Sequence, residues 1–189
     1  AEFRDPETGA HIQRMAHYSQ VIARGLDLEP NKQKLILEAA PLHDVGKIGI
    51  PDFILLKPGK LTPEEMEVMK GHSRLGFELL QGSGSEILRA GAEIAISHHE
   101  KYDGTGYPKA LKGKDIPLYG RIVAVADVFD ALTSERPYKK AWPLEDAVRF
   151  LEEGRGKHFD PMCIEAFLAG WDDVLQIRQR FQDEIVPLI

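Results

Sequence analysis

The chain has 189 residues, the usual size of one domain, and 43% of them are hydrophobic, which predicts a folded protein rather than a disordered one. A formal net charge of −6 disfavours general DNA binding, because that function needs a basic surface. The one cysteine, Cys163, excludes an internal disulfide, and no run of about 18 apolar residues predicts a transmembrane helix. We therefore expect a reducing, cytoplasmic setting.

The beginning of the chain indicates a piece of a larger protein. It starts with Ala1 instead of Met, and residues 1–4 resemble the interior of a longer polypeptide. We expect a single domain over residues 1–189, excised from a protein with an N-terminal regulatory domain.

Apolar residues recur at helical spacing along almost the whole chain. Asp5 before Pro6 predicts the start of a first helix that runs to about Leu26. Asn31 is expected to cap a second helix, which should end near Gly46 because glycine is favoured just past a helix C-terminus.

Residues 48–58 are interpreted as a connector, after which residues 62–65 (TPEE) predict a capping box. A helix should follow this box, and a separate helix should run from about His72 to Leu80. Ser85 is expected to open the next helix, which carries the chain to His98.

Residues 101–117 are rich in Gly, Lys and Pro and predict a long loop, and loops of this length are often functional. The most apolar helix is expected over 118–133, followed by one from Pro143 to about Gly154 and a last one from Asp160 to about Glu184. No segment alternates with period two, so the predicted fold is all-α, a compact helical bundle.

Histidines and carboxylates form an unusual set in this helical framework. His17 and His158 stand alone, and single histidines are more often structural than ligands. Adjacent pairs are more specific, and an aspartate inside the most apolar helix would be costly to bury without a partner or a metal. The candidate ligands are Glu7, His11, His43, Asp44, His72, His98, His99 and Asp127.

These eight residues exceed the six donors of one octahedral ion, which favours a site with at least two ions. Imidazole and carboxylate donors suit first-row divalent metals such as iron, manganese or zinc, and the absence of thiolates disfavours a structural zinc site. Sites with several metal ions are typical of hydrolytic enzymes. Glu7 and His11 lie four residues apart and share a helix face, although Glu7 has an alternative role as a first-turn acid at the helix N-terminus.

Residues 43–47 (HDVGK) and 103–108 (DGTGYP) resemble the signatures of the HD-GYP domain, a group of the HD-domain metal-dependent phosphohydrolases. The similarity continues through residues 98–100 (HHE), 126–133 (ADVFDALT) and 136–139 (RPYK). The HD doublet alone is a weak signal, but the full set in this order is very specific.

The resemblance implies an all-α domain that hydrolyses the bacterial second messenger cyclic di-GMP to linear pGpG, and in some members to GMP. It implies two or three divalent ions, often iron or manganese, with nickel, zinc and magnesium as alternatives. Asp44 matches the bridging carboxylate within a core ligand set, while Glu7 and His11 match members with a third metal. The other core ligands that match are His43, His72, His98, His99 and Asp127.

The resemblance also implies residues that act on the substrate. Lys47 matches a lysine near the scissile phosphate, so Asp44 and Lys47 are the predicted catalytic residues. For Tyr107, a role as a loop aromatic that packs on the core has the same weight as contact with substrate. The predicted substrate-binding residues are Gly106, Tyr107, Pro108, Arg136 and Lys139.

Two other functions stay open at the sequence level. One is another HD-type phosphohydrolase acting on nucleotide monoesters, which the GYP loop disfavours. The other is a non-catalytic module that senses cyclic di-GMP or docks a diguanylate cyclase, which the complete ligand set disfavours. A homodimer is a further alternative.

Overall fold

A computed structural model describes residues 9–135 and 140–182 of the chain. These residues form helices and no β-strand, so the predicted all-α fold is confirmed. Glu7, Arg136 and Lys139 lie outside the described residues. The helices are α1 Gly9–Gly25, α2 Pro30–Ala39, α3 Asp52–Leu55, α4 Pro63–Leu80, α5 Glu86–Ser97, α6 Leu118–Thr133, α7 Leu144–Glu153, α8 Pro161–Ala169 and α9 Trp171–Arg180. Short 3₁₀ turns occupy Ala40–Leu42, Val45–Gly49 and Gly113–Asp115.

Several helix ends lie at the residues predicted from the sequence. Thr62 and Glu65 form a reciprocal capping box at the start of α4, with the Glu65 N–H donating to the Thr62 hydroxyl and the Thr62 N–H donating to the Glu65 carboxylate. Ser85 caps α5 through the Leu88 N–H. The apolar helix α6 has the predicted bounds, and the long loop before it is also present.

The prediction for α2 was wrong at both ends. The helix begins at Pro30 with Glu29 as its N-cap, because proline is well suited to the first helical position, and Asn31 does not cap it. It ends at Ala39 instead of near Gly46, because Pro41 lacks an N–H and clashes with the preceding turn. Two 3₁₀ turns carry the chain onward.

Three other boundaries also differ from the prediction. Residues 63–80 form the single helix α4, because Gly71 weakens a helix by only about 1 kcal/mol and does not end it. The connector over 48–58 contains α3. The single helix expected at the C-terminal end is divided into α8 and α9. Helix α8 ends before Gly170, whose N–H donates to the carbonyls of Ala166 and Phe167.

Helix α1 lies at the centre of the bundle and packs against α2, α6, α8 and α9. Its side chains Met15, Tyr18 and Ile22 are fully buried, and Tyr18 contacts Phe129 and Phe167 edge-on. Burying such large side chains stabilises the fold by about 1.5–3 kcal/mol each. Within the described residues, no helix combines the length and apolar character needed to cross a membrane.

A second unit packs on this core and positions the functional residues. Helices α4 and α5 lie against each other, and α4 also contacts the turn Val45–Gly49. The contact at Gly46 is so close that a Cβ there would lie 1.9 Å from the His72 carbonyl oxygen. Glycine at this position lets the segment before the turn approach α4 at the level of His72.

Candidate metal centre

Seven of the eight predicted ligands come together between α1, α4, α5 and α6. They lie in the first turn of α1, in the segment before the Val45–Gly49 turn, in the middle of α4, at the end of α5 and in the middle of α6. The eighth, Glu7, lies outside the described residues. The seven are His11, His43, Asp44, His72, His98, His99 and Asp127.

The seven residues form two adjacent groups. Asp44, His72, His98 and His99 offer ligand atoms within 4.8 Å of one another, and so do His11, His43 and Asp127. Each set is compact enough to hold one metal ion. The sequence predicted these residues as one cluster but did not divide them, and it paired His11 with Glu7.

Asp44 lies between the two groups. Its Oδ1 is 3.0 Å from His72 Nε2 and 3.4 Å from His98 Nε2. Its Oδ2 lies 3.3 Å from His43 Nε2, in the second group. One carboxylate oxygen therefore faces each group, which is the arrangement that a bridging ligand requires.

The histidine rings are fixed so that their Nε2 atoms face inward. The Nδ1 atoms of His43, His72 and His98 lie 3.0, 2.6 and 3.1 Å from the backbone carbonyls of residues 40, 69 and 94. A carbonyl oxygen only accepts, so each Nδ1 carries the hydrogen and a neutral ring presents its Nε2 lone pair to the centre.

Lone pairs that converge in this way need a cation. His98 Nε2 and Asp44 Oδ1 are buried and complete no hydrogen bond among the described residues. His72 Nε2 and His99 Nε2 also lie only 3.1 Å apart. Neutral imidazoles and a carboxylate facing one another are stabilised by a metal ion between them, so the residues present fit divalent ions of the first transition row.

The protonation states favour metal binding. Burial opposes the charged form of Asp44, but the neighbouring imidazoles of His43, His72 and His98 hold its pKa well below the usual range. Burial holds the pKa of His99 well below its usual value. A carboxylate and a neutral imidazole are the forms that coordinate metals.

Lys47 lies beside this centre. Its Nζ is 2.7 Å from Asp44 Oδ2, because the 3₁₀ turn places the two residues on one face. The side chains of Lys47 and Asp127 are 17% and 20% exposed, so the centre is reachable from solvent on this side. Asp127 is thus less buried than its apolar helix led us to expect.

The loop over residues 101–117 covers the His99 side of the centre. Tyr107 stacks on the His99 ring with centroids 4.8 Å apart and planes 22° apart, and Lys70 Nζ lies 5.5 Å from the tyrosine ring centre. Burial raises the pKa of Tyr107, so its hydroxyl stays protonated. Both packing and a hydrogen bond to substrate are compatible with this position.

Gly106 allows close packing within the loop. A Cβ at Gly106 would lie 2.2 Å from the Lys101 backbone nitrogen, so the close approach is to the beginning of the loop. This contact gives Gly106 a packing role, and its part in substrate binding stays a prediction. Pro108, the third residue of the predicted motif, is exposed.

Sequence reasoning missed two buried carboxylates. Glu100 is 2% exposed and accepts hydrogen bonds from the N–H groups of Lys109 and Leu111 at 2.7 and 3.0 Å, which fixes the loop around Tyr107. Asp130 is fully buried and contacts His11 at 2.7 Å. The available signal was their sequence position, directly after His98-His99 and one helical turn after Asp127.

The isolated histidines His17 and His158 pack against aromatic rings. His17 packs against Phe181 with ring centroids 4.9 Å apart, and His158 stacks on Phe159 at 4.1 Å. Neither belongs to the two groups of ligands.

Comparisons with known proteins agree with this geometry. A family model described as HD domain matches residues 1–163. The chain is 53% identical over 180 residues to the cyclic di-GMP phosphodiesterase response regulator RpfG of Xanthomonas campestris, covering 95% of this chain and 48% of the relative. It is 51% identical to a cyclic di-GMP phosphodiesterase of Thermotoga maritima, covering 97% and 50%. A third relative, the 3′3′-cGAMP-specific phosphodiesterase 2 of Vibrio cholerae, is 46% identical, covering 96% and 35%.

The chain thus spans half or less of the length of these relatives. Among solved structures, Bd1817, an HDG"Y"P protein from Bdellovibrio bacteriovorus, superposes with a TM-score of 0.63 at 25% identity, covering 88% of this chain and 51% of that one. The Vibrio cholerae phosphodiesterase V-cGAP3 shares the fold, with a TM-score of 0.62 at 21% identity, covering 97% and 53%. The chain belongs to the HD domain family, and the resemblance of its sequence to the HD-GYP group of that family is confirmed.

Proposed function

We propose that this chain is a metal-dependent phosphodiesterase that hydrolyses cyclic di-GMP to pGpG, or onward to GMP, in bacterial second-messenger signalling. The observation that carries the proposal is Asp44, which directs one oxygen to each of two groups of ligands and has Lys47 beside it. The relatives named as cyclic di-GMP phosphodiesterases support it.

We propose one divalent ion in each group, with Asp44 shared between them. Iron and manganese suit the nitrogen and oxygen donors best, and nickel, zinc and magnesium are alternatives. When bound, such ions supply Lewis acidity and a water of lowered pKa. A third ion, held with the help of Glu7, stays a prediction, because Glu7 lies outside the described residues and His11 lies with His43 and Asp127.

The chain's own residues then orient and stabilise the substrate. The Lys47 ammonium lies at the solvent-facing side of Asp44, where it can contact a phosphate oxygen and stabilise charge that develops there. The Tyr107 hydroxyl, kept protonated by burial, is a donor for a ribose or a base. These groups and the bound ions would offset the acidity of the chain at this site.

Arg136 and Lys139 are proposed to complete the substrate site from outside the described residues. A guanidinium forks onto a phosphate or a guanine edge, whereas an ammonium is a point charge. Arg136→Ala should therefore raise the KM for cyclic di-GMP more than it lowers kcat. An unchanged KM would remove Arg136 from the proposed site.

The test is turnover of cyclic di-GMP, 3′3′-cGAMP and a chromogenic phosphodiester by chain of known metal content. We expect cyclic di-GMP to react fastest, and Asp44→Ala to abolish turnover and lower metal content together. Asp172→Ala, a change at an exposed carboxylate on α9, is the matched control and should alter neither.

Other outcomes would point elsewhere. Preference for 3′3′-cGAMP would place this chain's activity with that of the Vibrio cholerae relative. Turnover of cyclic di-GMP no faster than of the chromogenic compound would favour a generic phosphohydrolase. Binding without turnover by metal-loaded chain would favour a sensor module. The N-terminal regulatory domain, the docking of a diguanylate cyclase and the homodimer stay predictions.

A further inference from the structure

The carboxylate of Asp130 on α6 is fully buried and makes four polar contacts within the described residues. Its Oδ2 lies 2.7 Å from His11 Nδ1 and accepts from the Ser134 hydroxyl at 2.9 Å. Arg14 donates to both oxygens, from Nε at 2.6 Å and from a terminal nitrogen at 2.9 Å. Asp130 is therefore held in one position by two side chains of α1 and by the residue that follows α6.

Two aspartates of α6 bracket the His11 ring. Asp127 Oδ1 lies 3.7 Å from His11 Nε2, on the side of the candidate metal centre, while Asp130 contacts Nδ1 on the opposite side. The two aspartates are three residues apart, so one helical face presents both. The ring cannot rotate without breaking the short contact with Asp130.

Arg14 stabilises the buried Asp130 carboxylate. An isolated buried carboxylate would be strongly destabilising, but a bidentate guanidinium balances its charge and fixes its plane. Arg14 donates to both oxygens of Asp130 and Ser134 donates to Oδ2, so this carboxylate acts as an acceptor and His11 must carry its hydrogen on Nδ1.

His11 is oriented differently from the other inward-facing histidines. His43, His72 and His98 are each held by a backbone carbonyl of their own segment. His11 is held by a side chain, and a carboxylate makes an imidazole a more basic metal ligand than a carbonyl does. Its orientation can therefore be altered by one substitution that leaves the backbone in place.

We propose that Asp130 is a positioning residue, which holds His11 in the Nδ1–H form with Nε2 directed at His43 and Asp127 and so sets the metal affinity of that group. The inference rests on the proposed function, because it assumes that His11, His43 and Asp127 bind a metal ion. It extends that function to a residue with no predicted role.

The first test needs no substitution and no metal. Imidazole nitrogen NMR of the chelator-treated chain, with helical content verified by circular dichroism, should show a hydrogen on His11 Nδ1. A His11 ring in the Nε2–H form, or averaging between both forms, in folded protein would overturn the proposal.

The second test is Mn²⁺ binding to chelator-treated chain, followed by electron paramagnetic resonance. Asp130→Asn should weaken one of the Mn²⁺ sites by about 10- to 100-fold and leave the site with Asp44, His72, His98 and His99 occupied. It should also populate the Nε2–H form of His11, because an amide nitrogen in place of Oδ2 donates to Nδ1.

Asp160→Asn is the matched control. Asp160 is also buried and paired with an arginine, Arg121, at 2.6 Å, but it caps α8 and touches no histidine. The Asp160→Asn variant should be less stable than the original chain, with unchanged Mn²⁺ affinity and an unchanged His11 tautomer. Equal losses of affinity in both variants would reduce Asp130 to a structural role. Neither readout depends on cyclic di-GMP turnover, so failure of this proposal is distinct from failure of the proposed activity.

Discussion

Replacing Gly46 by alanine should disrupt the metal centre without changing a ligand. A Cβ at this position would lie 1.9 Å from the His72 carbonyl oxygen and 2.4 Å from the Gly76 nitrogen. Both are backbone atoms of α4, so no side-chain rotation can relieve the clash. The segment that carries His43 and Asp44 must therefore move away from the helix that carries His72.

The size of this movement follows from the contact distances. Ordinary contacts begin at 3.4 Å, so the Val45–Gly49 turn must recede from α4 by about 1.5 Å. Overpacking of this kind costs about 3 kcal/mol, which lowers the melting temperature of a chain of this size by about 6–12 °C. The same shift widens the 3.0 Å gap between His72 Nε2 and Asp44 Oδ1, and a misplacement of about 1 Å costs turnover about 100-fold.

The assay is thermal unfolding and metal stoichiometry of Gly46→Ala beside Gly71→Ala. Gly71 lies within α4, and a Cβ there meets nothing within 4 Å, so alanine should stabilise the helix by about 0.5–1 kcal/mol and leave the metal content intact. Full metal content and an unchanged melting temperature in Gly46→Ala would refute the packing argument.

Three further predictions concern single side chains. Lys47→Ala should lower kcat more than it raises KM at unchanged metal content, whereas Lys57→Ala, which breaks a peripheral ion pair with Glu65, should change neither constant. Glu7→Gln should lower the metal stoichiometry by about one ion while two persist; an unchanged stoichiometry would favour the helix-terminus role of Glu7. Burial, with the charge of Lys101, lowers the pKa of His158 from 6.5 to about 4. The folded state therefore resists protonation, and the free energy of unfolding falls as the pH drops from about 6.5 towards 4. The loss is at most about 3 kcal/mol, and urea unfolding of His158→Phe should lack it; parallel pH profiles for the two proteins would contradict this.

The fold class and most helix ends could be predicted because they depend on local chemistry. The capping box of α4, the serine cap of α5 and the apolar length of α6 are set by residues within one or two turns. The errors arose where steric or tertiary factors prevail. Pro41 ends α2 early, and the break between α8 and α9 at Gly170 depends on packing against α1.

The ligand residues could be predicted from their types, but their partition could not. Which oxygen of Asp44 faces which group depends on how closely the Val45–Gly49 turn approaches α4, and no local pattern encodes that distance. Glu100 and Asp130 were missed for the same reason. Their partners, Lys109 in the loop and His11 on α1, are identified only when the elements pack together.

The central claim is that Asp44 joins two metal ions in one hydrolytic centre, and anomalous diffraction from crystals of the metal-loaded chain tests it most directly. We expect at least two strong peaks that flank Asp44, one beside His72, His98 and His99 and the other beside His11, His43 and Asp127. A single peak, or none, in protein shown by elemental analysis to be fully loaded would contradict it.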